Sequence, residues 1–367
     1  MRVDVLEADD PRWCDALSVI PHDFYSLPAY GLLAARFEGG APIAILVEEG
    51  ERRLLLPLLI RDIPLADESS NLGPRCDAVS PYGYPGIGRS ATDPDQPADE
   101  LFLDAAMAAI RTTLNERGVV SLFLRLNPLL PVEPEILARH GQVVDHGHTV
   151  SVDLLRDDSE FIRSLRRGHA KALHRLDRLG FTCEFDEDGR PETIATLVEI
   201  YQQAMDRNTA DASYYFDSAY VTGLIRALSG HVAIVMTRLG SAGEVATASL
   251  LTEVDGIVQD HIGGTRSRYL SLSPAKLETR ESVRWARARG NRRLHLGGGR
   301  GGSEDTLFRF KSGFSPERHL FQTVRFVIDR PAYDELVTGW EARSGEPAGD
   351  LTGFFPAYRA PIPIPGM

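Results

Sequence analysis

Apolar and polar residues follow one another along the chain in two periods, one of two residues and one of three to four, separated by turn residues. Leu27 to Phe37 reads as a short helix. Alternating strands follow near Ile43–Glu48 and Arg53–Arg61, joined by the hairpin chemistry of Glu49-Gly50-Glu51. Asn71 to Gly88 reads as a long loop. Asp99 to Arg117 is a periodic helix punctuated by Gly118, and strands are expected at Val119–Leu126 and Val143–Leu154.

The second half repeats this grammar. Asp158 or Ser159 caps a helix that runs to Leu179, broken at Gly168 and ended by Gly180, and Phe181–Asp186 is a strand. Helices are expected at Glu192–Arg207 and Asp217–Leu228, then strands at Val232–Leu239, Val245–Glu253 and Ile257–Ile262. Pro274 opens a helix that ends near Gly290, because proline suits a first helical turn. Leu294–Leu296 and His319–Ile328 are the remaining strands, and the last forty residues read as partly extended. The pattern predicts an α/β (α+β) fold of two related halves, residues 1–150 and 151–328. An extension, 329–367, is expected to pack back on the first half.

Composition adds limits. The 367 residues can bury a large core, and no apolar run approaches the ~20 residues of a membrane span. The N-terminus is mixed and acidic, unlike a signal peptide. Cys14, Cys76 and Cys183 are odd in number and far apart, so they suggest neither a disulfide framework nor a thiolate metal site. The expected setting is the reduced cytoplasm, without membrane insertion.

The formal net charge of −12 argues against a general nucleic-acid coat protein. Two stretches run against it. One holds Arg163, Arg166, Arg167, His169, Lys171, His174, Arg175 and Arg178. The other holds Lys276, Arg280, Arg284, Arg287, Arg289, Arg292 and Arg293. Arg280, Arg284 and Arg287 fall at i, i+4, i+7, on one helix face. A local basic surface on an acidic protein suggests one polyanionic ligand. The alternative is two solvated helix faces.

Chemistry concentrates after the Leu294 strand. Gly297, Gly298 and Gly299, then Arg300, Gly301 and Gly302, form a turn with five glycines in six residues. Glycine is costly to order, so such density points to close backbone approach, to a ligand or to another element. Ser303-Glu304-Asp305 then opens a short helix that delivers Phe310 and Lys311 side by side and stops at Gly313.

These residues resemble the Fem-type (peptidoglycan-bridge) aminoacyltransferases and their acyltransferase relatives in the GNAT superfamily. The resemblance rests on Leu296-Gly297-Gly298-Gly299, on Leu307-Phe308-Arg309-Phe310-Lys311-Ser312-Gly313-Phe314, and on Ser80-Pro81-Tyr82-Gly83-Tyr84. Trp285-Ala286-Arg287-Ala288-Arg289-Gly290 adds to it. It implies two tandem GNAT-like domains, a role in acyl transfer for Lys311, and Phe310 packed beside the acyl donor. Elementary chemistry agrees. When an amine attacks an ester or thioester carbonyl, a preorganised ammonium or N–H at the developing oxyanion lowers the barrier by about 3–4 kcal/mol. The alternative makes Phe310 a core residue and Lys311 a surface charge.

Other candidates are weaker. Tyr82 and Tyr84, in a loop stiffened by Pro81 and Pro85, suit a sugar or peptide acceptor, or pack over a sheet. Asp260-His261, before Gly263-Gly264, is a candidate general base or a structural polar pair. His140, Asp145, His146 and His148 have no partner site with recognisable metal spacing, so no metal is expected. The chain has no Gly-x-Ser-x-Gly elbow and no Walker loop. It also lacks the Arg/Gln-x-x-Gly-x-Gly/Ala turn by which many GNAT enzymes hold the coenzyme A pyrophosphate.

The expectation is therefore an enzyme that forms an amide by moving an aminoacyl group from aminoacyl-tRNA, with no tightly bound cofactor. The acceptor would be an amine on a small molecule, nucleotide sugar or peptide. Gly297, Gly298, Gly299, Arg300, Arg166, Arg167, Lys171, Arg280 and Arg284 would hold the donor, and Tyr82 and Tyr84 the acceptor. Lys311, Phe310, Asp260 and His261 would serve the chemistry. Two alternatives stay open: an acyl-CoA-dependent N-acyltransferase on an amino sugar or small amine, and a non-catalytic nucleotide-sugar or RNA binder.

Overall fold

The computed structural model describes residues 1–63, 75–90, 97–240, 243–349 and 353–362. In chain order its first elements are β1 (Arg2–Glu7), α1 (Pro11–Leu17), α2 (Pro28–Glu38), β2 (Ala41–Glu49), β3 (Arg52–Asp62) and β4 (Cys76–Val79). Next come β5 (Gly88–Arg89), α3 (Pro97–Glu116), β6 (Val119–Arg125), α4 (Pro134–His140), β7 (Gln142–Asp153), α5 (Asp158–Ser164), α6 (Arg167–Leu179) and β8 (Phe181–Asp186). Then follow α7 (Pro191–Arg207), α8 (Ser218–Ala227), β9 (Val232–Leu239), β10 (Val245–Val254) and β11 (Ile257–Thr265). The last are α9 (Ala275–Ala288), β12 (Arg293–Gly297), α10 (Thr306–Lys311), β13 (Arg318–Val327) and α11 (Arg330–Ser344). The fold is mixed α/β. It divides into two compact units, Met1–His146 with Phe321–Met367, and Gly147–Leu320, the divisions falling within β7 and β13.

In the first unit β1, β2, β3 and β4 pair antiparallel in sequence order, β6 lies parallel to β4, and Thr323–Val327 of β13 runs antiparallel to β6. Leu54, Leu56 and Leu58 of β3 enter one core cluster, with α3, while Leu55 enters another with Trp13, Ala16 and Leu17 of α1. A strand covered on both faces needs no polar alternation, which is why 54–59 reads as a continuous apolar run. A third cluster packs Tyr333 and Trp340 of α11 with Val120, Phe355 and Tyr358. Buried Asp77 of β4 accepts hydrogen bonds from Arg61, Tyr358 and Arg359.

In the second unit β8, β9, β10 and β11 pair antiparallel, β12 lies parallel to β11, and Val150–Asp153 of β7 pairs antiparallel with β12. One cluster joins Val150 and Val152 to Phe161, Leu173, Leu176, Leu277, Val283, Leu294, Leu296, Phe308 and Phe314. Both units thus carry antiparallel strands followed, after an intervening helix (α3 or α9), by a parallel neighbour.

Several expectations shift. The predicted loop from Asn71 contains β4 and β5, short strands whose polar or small residues hide the period, and its residues 71–74 lie outside the described residues. β1, α1 and α4 went unanticipated, as did α11, where a helix of fifteen residues replaces much of the extended tail. The helix expected from Asp158 to Leu179 is two helices. Its cap is Asp157, which forms a capping box with Glu160. Its break falls at Leu165 and Arg166, not at Gly168, because the Arg166 N–H leaves the helical ladder to donate to the Gly313 carbonyl at 2.9 Å.

Candidate functional site

The second unit builds its site where β11 and β12 stop pairing. Their parallel register runs through Ile257–Arg293, Val258–Leu294 and Gln259–His295 and ends there, although β11 continues to Thr265 and β12 to Gly297. On the other side of β11, Leu250 faces Ile262 and Leu251 faces Asp260, which leaves His261 as an extra residue. Such bulges re-aim side chains. Asp260 and His261 consequently serve different partners. The charge of Asp260 is felt by Lys311 and by Glu278, while His261 Nε2 shares a 2.7 Å hydrogen bond with the Tyr220 hydroxyl of α8.

Beyond β12 the chain turns through the glycines and returns as α10. Asp305 caps that helix, its Oδ1 accepting from Leu307 N at 2.9 Å and Phe308 N at 3.0 Å. Its Oδ2 accepts from Arg300 Nε at 2.8 Å, and Arg300 Nη1 reaches Asn208 Oδ1 at 3.3 Å. The glycine density has a local cause: a Cβ on Gly299 would sit 1.9 Å from the Ser303 carbonyl and 2.5 Å from Asp305 Oδ1. Here the close approach is to another part of the chain.

Lys311, the last residue of α10, sends Nζ back to donate to the Gly298 carbonyl at 2.9 Å. Burial lowers its pKa, opposed by the carboxylates of Asp260 and Asp305. Burial pushes Asp260 up to about 6 against the pull of the Lys311 ammonium. His295 is fully buried, its Nδ1 2.7 Å from Gln259 Oε1. Burial, Lys311 and His319 hold it down at about 3, so it is neutral. His261 is likewise neutral, pushed down to about 3 by burial. The ammonium therefore has carboxylates, a carbonyl and a neutral imidazole for neighbours.

Behind Asp260 lies Glu278 of α9, 5% exposed. Its Oε1 accepts from Ser249 Oγ at 2.5 Å, and burial, reinforced by Asp260, raises it to about 8. At neutral pH it is an uncharged acid. The sequence offered no sign of it, since a Glu in a basic helix reads as a surface charge.

Phe310 packs against His169, at 5.6 Å between ring centroids, and edge-on to Phe314, at 5.3 Å. The basic residues divide sharply. On α9, Arg280 pairs with Asp177 and Glu281, and Arg284 and Arg287 pair with Asp158. On α6, Arg167, Lys171, Arg175 and Arg178 are exposed and make no ion pair among the described residues. Arg166, also exposed, bonds instead to the end of α10.

Tyr82 and Tyr84 lie in the first unit. Tyr82 N donates to Glu38 Oε1 at 2.8 Å, its carbonyl accepts from Tyr30, and Tyr84 packs edge-on to Phe321 at 5.2 Å. His140 bonds Asp104, His146 bonds Thr323 and His148 bonds Glu304. Among the described residues no group of His, Cys, Asp and Glu could hold a metal ion, and no helix is long and apolar enough to cross a membrane.

Residues 163–312, which hold Asp260, Lys311 and the glycine-rich turn, match the family described as acetyltransferase (GNAT) domain. That match covers less than half of the chain. Among solved structures, that of FemX aligns over 91% of this chain and 99% of that one, with a TM-score of 0.67 at 13% identity. A conserved protein of unknown function from Bacteroides thetaiotaomicron aligns over 87% and 92%, with a TM-score of 0.50 at 10% identity. The C-terminal domain of a putative lysylphosphatidylglycerol synthetase from Agrobacterium fabrum aligns over 85% and 90%, at 0.49 and 14%. At these identities the likeness concerns the fold. No curated protein matches the chain.

Proposed function

We propose that the protein forms amides by transferring an aminoacyl group from aminoacyl-tRNA to an amine, through two tandem GNAT-like units of which the second holds the reacting groups. The carrying observation is the placement of Lys311 and Asp260 together where β11 and β12 part. In this reading the acceptor nitrogen attacks the ester carbonyl and loses a proton to the Asp260 carboxylate. The Lys311 ammonium stabilises the oxyanion. The C–N bond forms, the ester C–O bond breaks, and the terminal ribose hydroxyl leaves with a proton. Asp260, held near 6, is ionised at neutral pH yet more basic than an ordinary carboxylate. Tyr82 and Tyr84 would serve the acceptor, and the resemblance of Leu307 to Phe314 to the Fem-type transferases supports a cell-envelope precursor or small metabolite as that acceptor.

The outward face of α6 supports a polyanionic donor. Arg167, Lys171, His174, Arg175 and Arg178 fall within about 100° of one another around the helix, exposed and without acidic neutralisation of the α9 kind. The repeated strand–helix–strand order supports the tandem reading. An acyl-CoA donor has one observation in its favour: α9 opens soon after β11 with no side-chain cap, and an uncapped helix start suits a diphosphate. Titrating the protein with charged tRNA and with acetyl-CoA at two salt concentrations separates these. Salt-sensitive tRNA binding supports the proposal, whereas tight coenzyme A binding without tRNA affinity overturns it.

A further inference from the structure

We infer that Arg166 and His169 are positioning residues for Lys311, holding the helix that carries it by its C-terminal carbonyls. The inference rests on the reading of Lys311 as the group that stabilises the oxyanion, and it gives Arg166 a task other than contact with a donor.

A six-residue helix cannot hold itself, because nucleation costs more than its few hydrogen bonds return. Its last four carbonyls have no intrahelical partner and must be satisfied from outside. In α10 three are closed by the chain that follows: Phe308 O accepts from Ser312 N at 2.8 Å, Phe310 O from Gly313 N at 3.0 Å and Lys311 O from Phe314 N at 3.1 Å. The fourth, Arg309 O, is left to α6, which also takes the second lone pair of Phe310 O. Arg309 O accepts from Arg166 Nη1 at 3.1 Å, and Phe310 O accepts from His169 Nε2 at 2.9 Å. Arg166 Nη2 adds a 3.0 Å bond to Ser312 Oγ, and its backbone N–H takes the Gly313 carbonyl.

The fit is close. A Cβ on Gly313 would lie 2.3 Å from the His169 ring, so only glycine lets the imidazole reach the carbonyl. A carbonyl only accepts, so Nε2 carries the proton and the tautomer is fixed. His169 is 5% exposed, and burial lowers it to about 4, so it stays neutral through the working range. Arg166 places a cation at the negative end of α10. The break between α5 and α6 gains a reason: with Leu165 and Arg166 extended, the start of α6 meets the end of α10.

The chain contains only three lysines, Lys171, Lys276 and Lys311, which makes the test simple. Lys171 is exposed and serves as the internal reference. Trace labelling of the full chain with acetic anhydride across pH, read by peptide mass spectrometry, reports the titration of each lysine. His169→Phe keeps an aromatic ring beside Phe310 and Phe314 but cannot donate, whereas His169→Gln gives up the ring and can. We expect His169→Phe and Arg166→Ala to move Lys311 labelling toward that of Lys171 by several-fold, and His169→Gln to remain near wild type. The same order in kcat, about tenfold down for His169→Phe with donor KM unchanged, should vanish in a Lys311→Ala background. Lys311 labelling unchanged in His169→Phe, or Gln worse than Phe, would overturn the inference. If Lys311→Ala retains full turnover while Lys311 labelling in the chain that keeps this lysine still responds to His169→Phe, the functional reading fails and the positioning stands.

Discussion

Lys311 and Gly298 meet across the glycine-rich turn, Nζ donating a 2.9 Å hydrogen bond to the carbonyl. The turn that ends β12 therefore also fixes the ammonium, and Lys311 is the group on which activity should depend most. Lys311→Ala should lower kcat by about 10²–10³, the usual loss for one oxyanion donor. Lys311→Arg should not restore it, because a planar fork cannot replace a compact ammonium at a single carbonyl. Steady-state kinetics on the two variants decide this.

Asp260 is raised to about 6 by burial, and Lys311 is lowered from the ordinary lysine value. Activity needs the first ionised and the second protonated. The pH profile of kcat/KM should rise through about 6 and fall again at a pH below that of an exposed lysine. Asp260→Asn should remove the acidic limb and most of the rate. A profile flat between pH 5 and 7 would contradict Asp260 as base.

Glu278 holds its proton more tightly folded than unfolded, at about 8 against 4.5. Its contribution to stability is complete below 4.5 and is lost as pH rises through 8. On the order of 5 kcal/mol is at stake for so buried a group. Glu278→Gln keeps an acceptor for Ser249 and has no charge to bury. Its melting temperature should overtake that of the wild type above pH 8, which thermal melts at pH 5, 7 and 9 would show.

Asp305 caps α10 and also faces Lys311 as a charge. Asp305→Ala should cost about 1 kcal/mol of stability through the lost cap. Asp305→Asn should keep the cap yet move the basic limb of the pH profile lower, because a carboxylate that favoured the ammonium is gone. Chemical denaturation together with pH–rate profiles separates the two effects.

The two basic helices should behave differently. Replacing Arg167, Lys171 and Arg175 together by Ala should weaken tRNA binding and flatten its salt dependence by about two to three units of slope. Arg280→Ala should chiefly cost stability, because it removes the cation that pairs with Asp177 and leaves Glu281 with Arg284 alone. Filter binding at several salt concentrations and thermal melts provide the comparison.

Much of the fold was legible because its elements carry a clear period. β8 and β9 fall where the strands Phe181–Asp186 and Val232–Leu239 were expected, and the Asp305-capped α10 nearly so. What escaped depends on distant contacts. The α5–α6 break at Arg166 is set by Gly313, about 150 residues away, and the bulge at His261 by its register with β10. The sequence marked Lys311, Phe310, Asp260 and the glycines as a group, but Glu278, His295 and the task of His169 needed burial to be seen. Spacing along a helix showed the Arg280 and Arg284 face. It did not show the Asp158 and Asp177 carboxylates that face it.

The most direct test of acyl transfer through Lys311 is product formation from a tRNA pool charged with radiolabelled amino acids, incubated with the protein and a mixed set of amine acceptors. Acid-stable amide should accumulate with the wild type and fall at least a hundredfold with Lys311→Ala. Equal product from both proteins, or free thiol released from acetyl-CoA with no amide made from tRNA, would contradict the account.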